Sequence, residues 1–216
     1  MENKNTIRNN SRFRRAALSS LSSALLQVVS MVCAFVMPGL ILSYYGSAYN
    51  GVISSITQFL GFFSILQAGI QGATRVALYK TFANKDIEGT SGIINANTAY
   101  YKKISYFLIG YIIFLAILFP LIIHDDVSKL DIVLLVLIIG AGNFIYYLIG
   151  YVYKALLSAD QAIYIIDFIQ IISLVASTAI MALLIVLNES VVIAKAAGTL
   201  VSSLNPLLLF LFVRKK

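Results

Sequence analysis

Residues 163–187 read IYIIDFIQIISLVASTAIMALLIVL. In these 25 residues there is one charged side chain, Asp167, and neither proline nor glycine. At 1.5 Å of rise per residue such a helix crosses a hydrocarbon core of about 30 Å. Working outward, five further stretches have the same character: Leu18–Leu42, Gly51–Ala73, Ile104–Ile123, Ile132–Leu157 and Val191–Val213. The chain is 60% hydrophobic and 12% charged, with a mean hydropathy of +0.90. A soluble domain carries about 25% charge. The expected fold is an all-α integral membrane protein, a bundle of six transmembrane helices over residues 1–216.

Charge placement orients the bundle. Of 16 Lys and Arg residues, 14 fall at Lys4–Arg15, Arg75–Lys103, Lys154 and Arg214–Lys216, on alternate connections. The other two are Lys129, in an opposite connection, and Lys195, inside the last span. The positive-inside rule then makes both termini cytoplasmic, in a multi-pass protein of the cell membrane. The formal net charge of +7 is spent on orientation and on contact with anionic lipid headgroups rather than on nucleic acid. Lys4–Arg15 followed by an apolar run resembles a signal peptide, but the run exceeds an h-region of about 7–15 residues, so it is read as a retained first helix.

Enzyme chemistry finds little support. Cys33 is the only cysteine and His124 the only histidine, so a disulfide within the chain, a Cys/His metal site and a His-based triad are all excluded. No phosphate-binding loop, HExxH or GxSxG occurs. Asp125 and Asp126, beside His124 on a loop, form the only adjacent acidic pair. No catalytic residue, metal or cofactor is expected.

Polar residues inside a span should face other helices or a water-filled cavity. At about 100° per residue, Thr57, Ser64, Gln67, Gln71 and Arg75 fall within about 80° of arc, a stripe along the second helix. Ser20, Ser23, Gln27 and Ser30 make a stripe on the first. Asp167, Gln170, Ser177 and Thr178 make one on the fifth, and Lys195, Gly198, Thr199 and Ser202 one on the sixth. Ser, Thr and Gly also serve ordinary helix packing. The candidate substrate-binding set is therefore Gln27, Thr57, Gln67, Gln71, Arg75, Asp167, Gln170 and Lys195. Alternatives stand for the charged members. Arg75 is a boundary anchor or a ligand contact, and Lys195 snorkels or binds an anion. Asp167 pairs with a Lys or Arg of another helix or serves as a proton or cation site. The 75–103 connection contains turn signals at Asn84-Lys85-Asp86 and Glu88-Gly89, with Leu78, Phe82 and Ile87 as the apolar face of an amphipathic helix.

Three stretches carry a resemblance. Tyr44-Tyr45-Gly46-Ser47-Ala48-Tyr49-Asn50-Gly51 resembles the short outer turn between helices one and two of the polysaccharide flippase family, in the multidrug/oligosaccharidyl-lipid/polysaccharide exporter superfamily. The run from Ser54-Ser55-Ile56 through Gly69-Ile70 to Ala77-Leu78-Tyr79-Lys80 is similar to the family's second helix and exit. Leu156-Leu157-Ser158-Ala159-Asp160-Gln161 resembles the turn before helix five. The resemblance implies flipping of a lipid-linked oligosaccharide of undecaprenyl-pyrophosphate type to the outer leaflet, by alternating access between two lobes. Family members have twelve or more spans; this chain resembles an N-terminal lobe without its second lobe, which a separate lobe or a homodimer would supply. Gln67 and Gln71 would then meet sugar hydroxyls and Arg75 the phosphates. Two other readings compete: a cation-coupled drug exporter of the related MATE type, with Asp167 as its acid, and a truncated membrane protein without substrate.

Overall fold

The computed structural model describes the backbone of residues 2–123 and 127–215 and the side chains of 14–65, 67, 69–123 and 127–214. His124, Asp125 and Asp126 lie outside the described residues. Every regular element described is helical: α1 (Glu2–Gly61), α2 (Phe63–Asn84), α3 (Ile87–Ile122), α4 (Lys129–Ile145), a π-helical turn (Tyr146–Gly150), α5 (Tyr151–Ala159), α6 (Ile163–Val186), α7 (Val191–Ser202) and α8 (Leu204–Lys215). Five stretches are long and apolar enough to cross a membrane: Arg14–Ile65, Ile87–Ile122, Lys129–Ala159, Ile163–Val186 and Val191–Arg214. The first holds two of the six expected spans. They are joined at Gly46, whose φ of 85° and ψ of 179° break the helix. That backbone region is open essentially to glycine alone. The turn read at 44–51 is thus made by its glycine.

Side-chain contacts give the helix directions. Ser22 and Ser23 of α1 meet Asp167 of α6, and Tyr45 donates to the carbonyl of Glu189 beyond the end of α6. The first arm of α1 and α6 therefore run side by side in the same direction. The second arm, continued by α2, runs against α3. Phe59 packs on Phe119 at 5.4 Å, Phe63 on Tyr111 at 5.1 Å, and Thr74 Oγ1 donates to Asn97 Oδ1 at 3.3 Å. The end holding Ser22, Asp167, Arg75 and Lys154 is called the basic end below; Gly46, Asp131 and Glu189 mark the opposite end.

Burial leaves the outside of the bundle largely apolar. Ile56, Tyr101, Leu108, Leu115, Ile132, Leu135 and Ile185 fill the interior. Large apolar side chains such as Phe35 (87% exposed), Leu21 and Ile65 cover the outside. In water such a surface would aggregate, whereas it suits contact with acyl chains, since most backbone groups are satisfied within their own helix.

The connection expected at 75–103 is largely helical. α2 continues to Asn84 and α3 begins at Ile87. Only Lys85 and Asp86 turn the chain. Lys85 is left-handed (φ 54°), and Asp86 caps α3 by accepting from Gly89 N at 2.8 Å. Leu78 is buried and Phe82 half-buried, as an amphipathic face requires, whereas Ile87 is exposed.

Three spans expected to be continuous are interrupted. The second breaks at Phe62, where i→i+3 bonds join Phe62 N to Phe59 O at 3.3 Å and Ile65 N to Phe62 O at 3.2 Å. The fourth widens into the π turn at Tyr146–Gly150. The sixth pauses at Ser203, three residues before Pro206, which has no N–H to give the preceding turn. Two interruptions are packed together: a Cβ built on Gly150 would lie 3.3 Å from Pro206 Cβ. π turns collect where helices serve a site rather than a scaffold.

Candidate functional site

Four of the spans surround a cavity of about 660 Å³. The first arm of α1 contributes Ser30 and Cys33, the second arm Asn50 and Thr57, α6 Gln170, Ser177 and Thr178, and α7 Lys195, Thr199 and Ser202. A second cavity of about 350 Å³ reaches from it toward α4, the π turn and α8, adding Asn143, Tyr146, Ser173 and Asn205. Thr57, Gln170, Ser177, Lys195, Thr199 and Ser202 line both, so the two are chambers of one space.

Glycines shape its wall. A Cβ on Gly198 would stand 2.3 Å from Met181 Cγ, and one on Gly142 2.7 Å from Thr199 Cγ2. The missing side chains at these positions ease the approach of α7 to α6 and α4, as small residues permit in membrane bundles.

The electrostatics are one-sided. Among the described residues Lys195 is the only charged one lining either chamber, and no acidic side chain joins it. It sits one turn inside the start of α7, among hydroxyls and amides. A cation there, in low dielectric, attracts an anion strongly and repels another cation. Among the described residues no group of three or more His, Cys, Asp and Glu could hold a metal ion.

At the basic end a clasp joins α1 to α6. Ser22 Oγ donates to Asp167 Oδ2 at 2.7 Å and Ser23 Oγ to the same oxygen at 2.6 Å. These lengths belong to hydroxyl–carboxylate bonds, the stronger class. Asp167 is buried, and Gln170, one helical turn further along α6, already faces the cavity. The clasp thus joins α1 to α6 just below the cavity floor. Lys154 lies within coulombic range of both Asp167 and Arg75, which gathers the charges of the basic end into one cluster. The opposite end is tied by Tyr49, which donates to Asp131 Oδ2 at 2.6 Å, and by Tyr45 on the Glu189 carbonyl.

Of the eight candidate residues, Thr57, Gln170 and Lys195 meet in the cavity. Asp167 is in the clasp, and Gln27 is exposed on α1, one turn before Ser30. Gln67 and Gln71 are half-buried and Arg75 is exposed on α2, away from both chambers. The continuous stripe expected on the second helix is interrupted because the Phe62 break resets the register between Thr57 and Ser64. Ser64 turns instead to the Gly61 carbonyl at 2.6 Å, one of the acceptors freed by the break. Gln71 Nε2 is buried without a partner. Sequence reasoning passed over Asn143 and Asn205. Both are amides at membrane depth, a costly placement that was a usable signal, but each stands outside any periodic stripe.

Comparison of the chain with protein-family models, with curated proteins and with solved structures finds no match.

Proposed function

We propose that this chain is a six-helix transporter lobe that carries the anionic headgroup of a lipid-linked saccharide across the cell membrane for cell-surface polysaccharide export. One observation carries the proposal: a single cation, Lys195, stands in a roomy, neutral, hydrogen-bonding cavity inside an apolar bundle. An undecaprenyl-type pyrophosphate lipid matches that pattern. Its phosphates pair with the ammonium, its sugars meet hydroxyls and amides, and its tail remains in the bilayer.

The clasp supplies a mechanism. With the basic end cytoplasmic, Asp167, Ser22 and Ser23 shut the cavity toward the cytoplasm, while its lining reaches Asn50 near the outer turn. Opening the clasp would admit the headgroup from the inner leaflet, and reclosing it would present the headgroup outward. A ligand drives such a change only by binding one arrangement better than the other. Lys195, on the cavity side of the clasp, is positioned to make that difference. A second lobe or a second copy of the chain would wall the remaining side.

The cation-coupled exporter is the weaker reading on this geometry. Its acid would be Asp167, but two serine hydroxyls already occupy one carboxylate oxygen, and the residue lines neither chamber. The charge facing the cavity is positive, which disfavours cationic drugs.

The test is Lys195→Met in the cell of origin, at unchanged abundance of the chain. Surface polysaccharide should fall severalfold while its lipid-linked precursor accumulates. Normal surface polysaccharide in that variant rules out the proposal.

A further inference from the structure

Away from the two chambers, where α2, α3 and α5 meet, three buried polar atoms have no hydrogen-bond partner among the described residues: Gln71 Nε2, Tyr101 Oη and Ser158 Oγ. Tyr101 is wholly buried and Ser158 is 3% exposed. Contacts place all three along one cleft. Thr74 donates to Asn97 at 3.3 Å, and since α2 and α3 are antiparallel, Gln71 and Tyr101 both lie about one turn deeper into the bundle. Tyr101 stacks on Tyr151 of α5 at 5.4 Å. Arg75 is within coulombic range of Lys154, and Tyr79 donates to the Ser158 carbonyl at 3.5 Å. So α2 and α5 run parallel, and the cleft has three levels, each about 6 Å from the next at four residues per step. Gln71 and Tyr101 form the deepest level, Arg75 and Lys154 the middle one, and Ser158 the one nearest the basic end.

The chemistry of the levels is of one kind. An amide Nε2 only donates, and both free hydroxyls can donate. Two cations stand between them. The carboxylate within range of Lys154 is Asp167, which already accepts from Ser22 and Ser23. Donors buried at membrane depth without acceptors are costly, so their presence on three helices calls for acceptors from outside the chain. The ligand must carry negative charge at the middle level and neutral oxygens on both sides of it. A glycerophospholipid has that order: headgroup oxygens, then the phosphate, then the ester carbonyls toward the acyl chains. An isoprenyl pyrophosphate has no acceptor below its phosphates.

Position favours a lipid of the inner leaflet. Arg75 stands two residues beyond the expected end of the second span at Ala73, and Val76 and Tyr100 beside the cleft are exposed, open to acyl chains. No residue of the three levels lines either chamber. A headgroup carried through the cavity therefore does not pass this cleft.

We propose that the cleft between α2, α3 and α5 holds an anionic glycerophospholipid of the inner leaflet, as a resident lipid rather than as cargo. Arg75 and Lys154 pair with its phosphate. Gln71 and Tyr101 donate to its ester carbonyls, and Ser158 to its headgroup.

The experiment is native mass spectrometry of the purified full chain in micelles containing phosphatidylglycerol, phosphatidylcholine and the ether-linked phosphatidylglycerol that lacks ester carbonyls, all with equal chain lengths. The wild-type chain should prefer ester phosphatidylglycerol to phosphatidylcholine about tenfold or more, and to its ether analogue about threefold. Arg75→Gln and Lys154→Gln should each reduce the first preference. Gln71→Leu, and Tyr101→Phe as the milder variant if the first fails to fold, should remove the second. Lys195→Met should change neither. Absence of either preference in the wild type, or its survival in the matching variants, overturns the proposal. So does displacement of the bound lipid by an equal amount of inorganic phosphate, which would mark a free-anion site, or of undecaprenyl pyrophosphate, which would mark a cargo site. None of these results bears on Lys195 and its cavity, so the transporter reading stands or falls separately.

Discussion

Asp167→Ala tests whether the clasp is the cytoplasmic closure. Asp167 Oδ2 accepts hydroxyls from Ser22 at 2.7 Å and Ser23 at 2.6 Å. Interhelical side-chain hydrogen bonds in membranes contribute about 0.6 kcal/mol on average and up to about 1.7 kcal/mol, and a buried carboxylate acceptor belongs at the strong end. The two losses are unequal. Ser22 Oγ also lies 3.0 Å from the Ser19 carbonyl, so its hydroxyl has somewhere to return. A net effect of about 2 kcal/mol follows, or roughly a thirtyfold rise in the open fraction. The chain carries its own reporter, because Cys33 lines the larger cavity and is its only cysteine. In inside-out vesicles, a membrane-impermeant thiol reagent should label Cys33 slowly in the wild type and about thirtyfold faster in Asp167→Ala, until opening ceases to limit the rate. In right-side-out vesicles the two rates should agree within a few-fold. An unchanged inside-out rate in a folded, monodisperse Asp167→Ala chain refutes the closure.

Three further substitutions test the framework. Gly46→Ala places a Cβ on a φ of 85° and should cost about 1–3 kcal/mol in detergent unfolding, while Gly51→Ala, whose Cβ meets nothing within 4 Å, should cost nothing. Gly198→Ala should destabilise by about 1–3 kcal/mol through the clash with Met181, and Met181→Ala should recover part of that in the double variant; additive losses would contradict the close α6–α7 approach. Tyr49→Phe removes the donor to Asp131 and should cost about 1–2 kcal/mol, with labelling of Cys33 from the opposite face rising if Tyr49 also restrains that end; no change in unfolding midpoint would show the bond to be idle.

Much of this architecture can be read from residue order. The apolar stretches mark the spans because lipid tolerates little else, and Gly46 marks the turn because few residues adopt its backbone. The 100° periodicity holds over parts of α6 and α7, whereas on the first arm of α1 only Ser30 of its stripe reaches the cavity and Gln27 is exposed. Gln170, Ser177 and Thr178 on α6, and Lys195, Gly198, Thr199 and Ser202 on α7, do face one cavity. It fails on the second span because a stripe presumes unbroken register, and Gly61 is only a weak mark of the break at Phe62. Pro206 does signal the interruption of the sixth span, whereas the π turn at Tyr146–Gly150, which packs beside α8, has no such signal. The clasp was out of reach for another reason. Asp167 and Ser22 are 145 residues apart, and only the assembled bundle shows which helix meets which. The asparagines were visible as expensive residues but had no neighbours in sequence to explain them.

The most direct measurement is native mass spectrometry of the chain released from its own membrane, beside Lys195→Met prepared in the same way. The account predicts a retained pyrophosphate-linked lipid saccharide on the wild-type chain, and its loss from the variant while ordinary phospholipids stay. A wild-type chain that retains only phospholipid, or a variant that retains the lipid saccharide equally, would contradict the assignment of this cavity to an anionic headgroup.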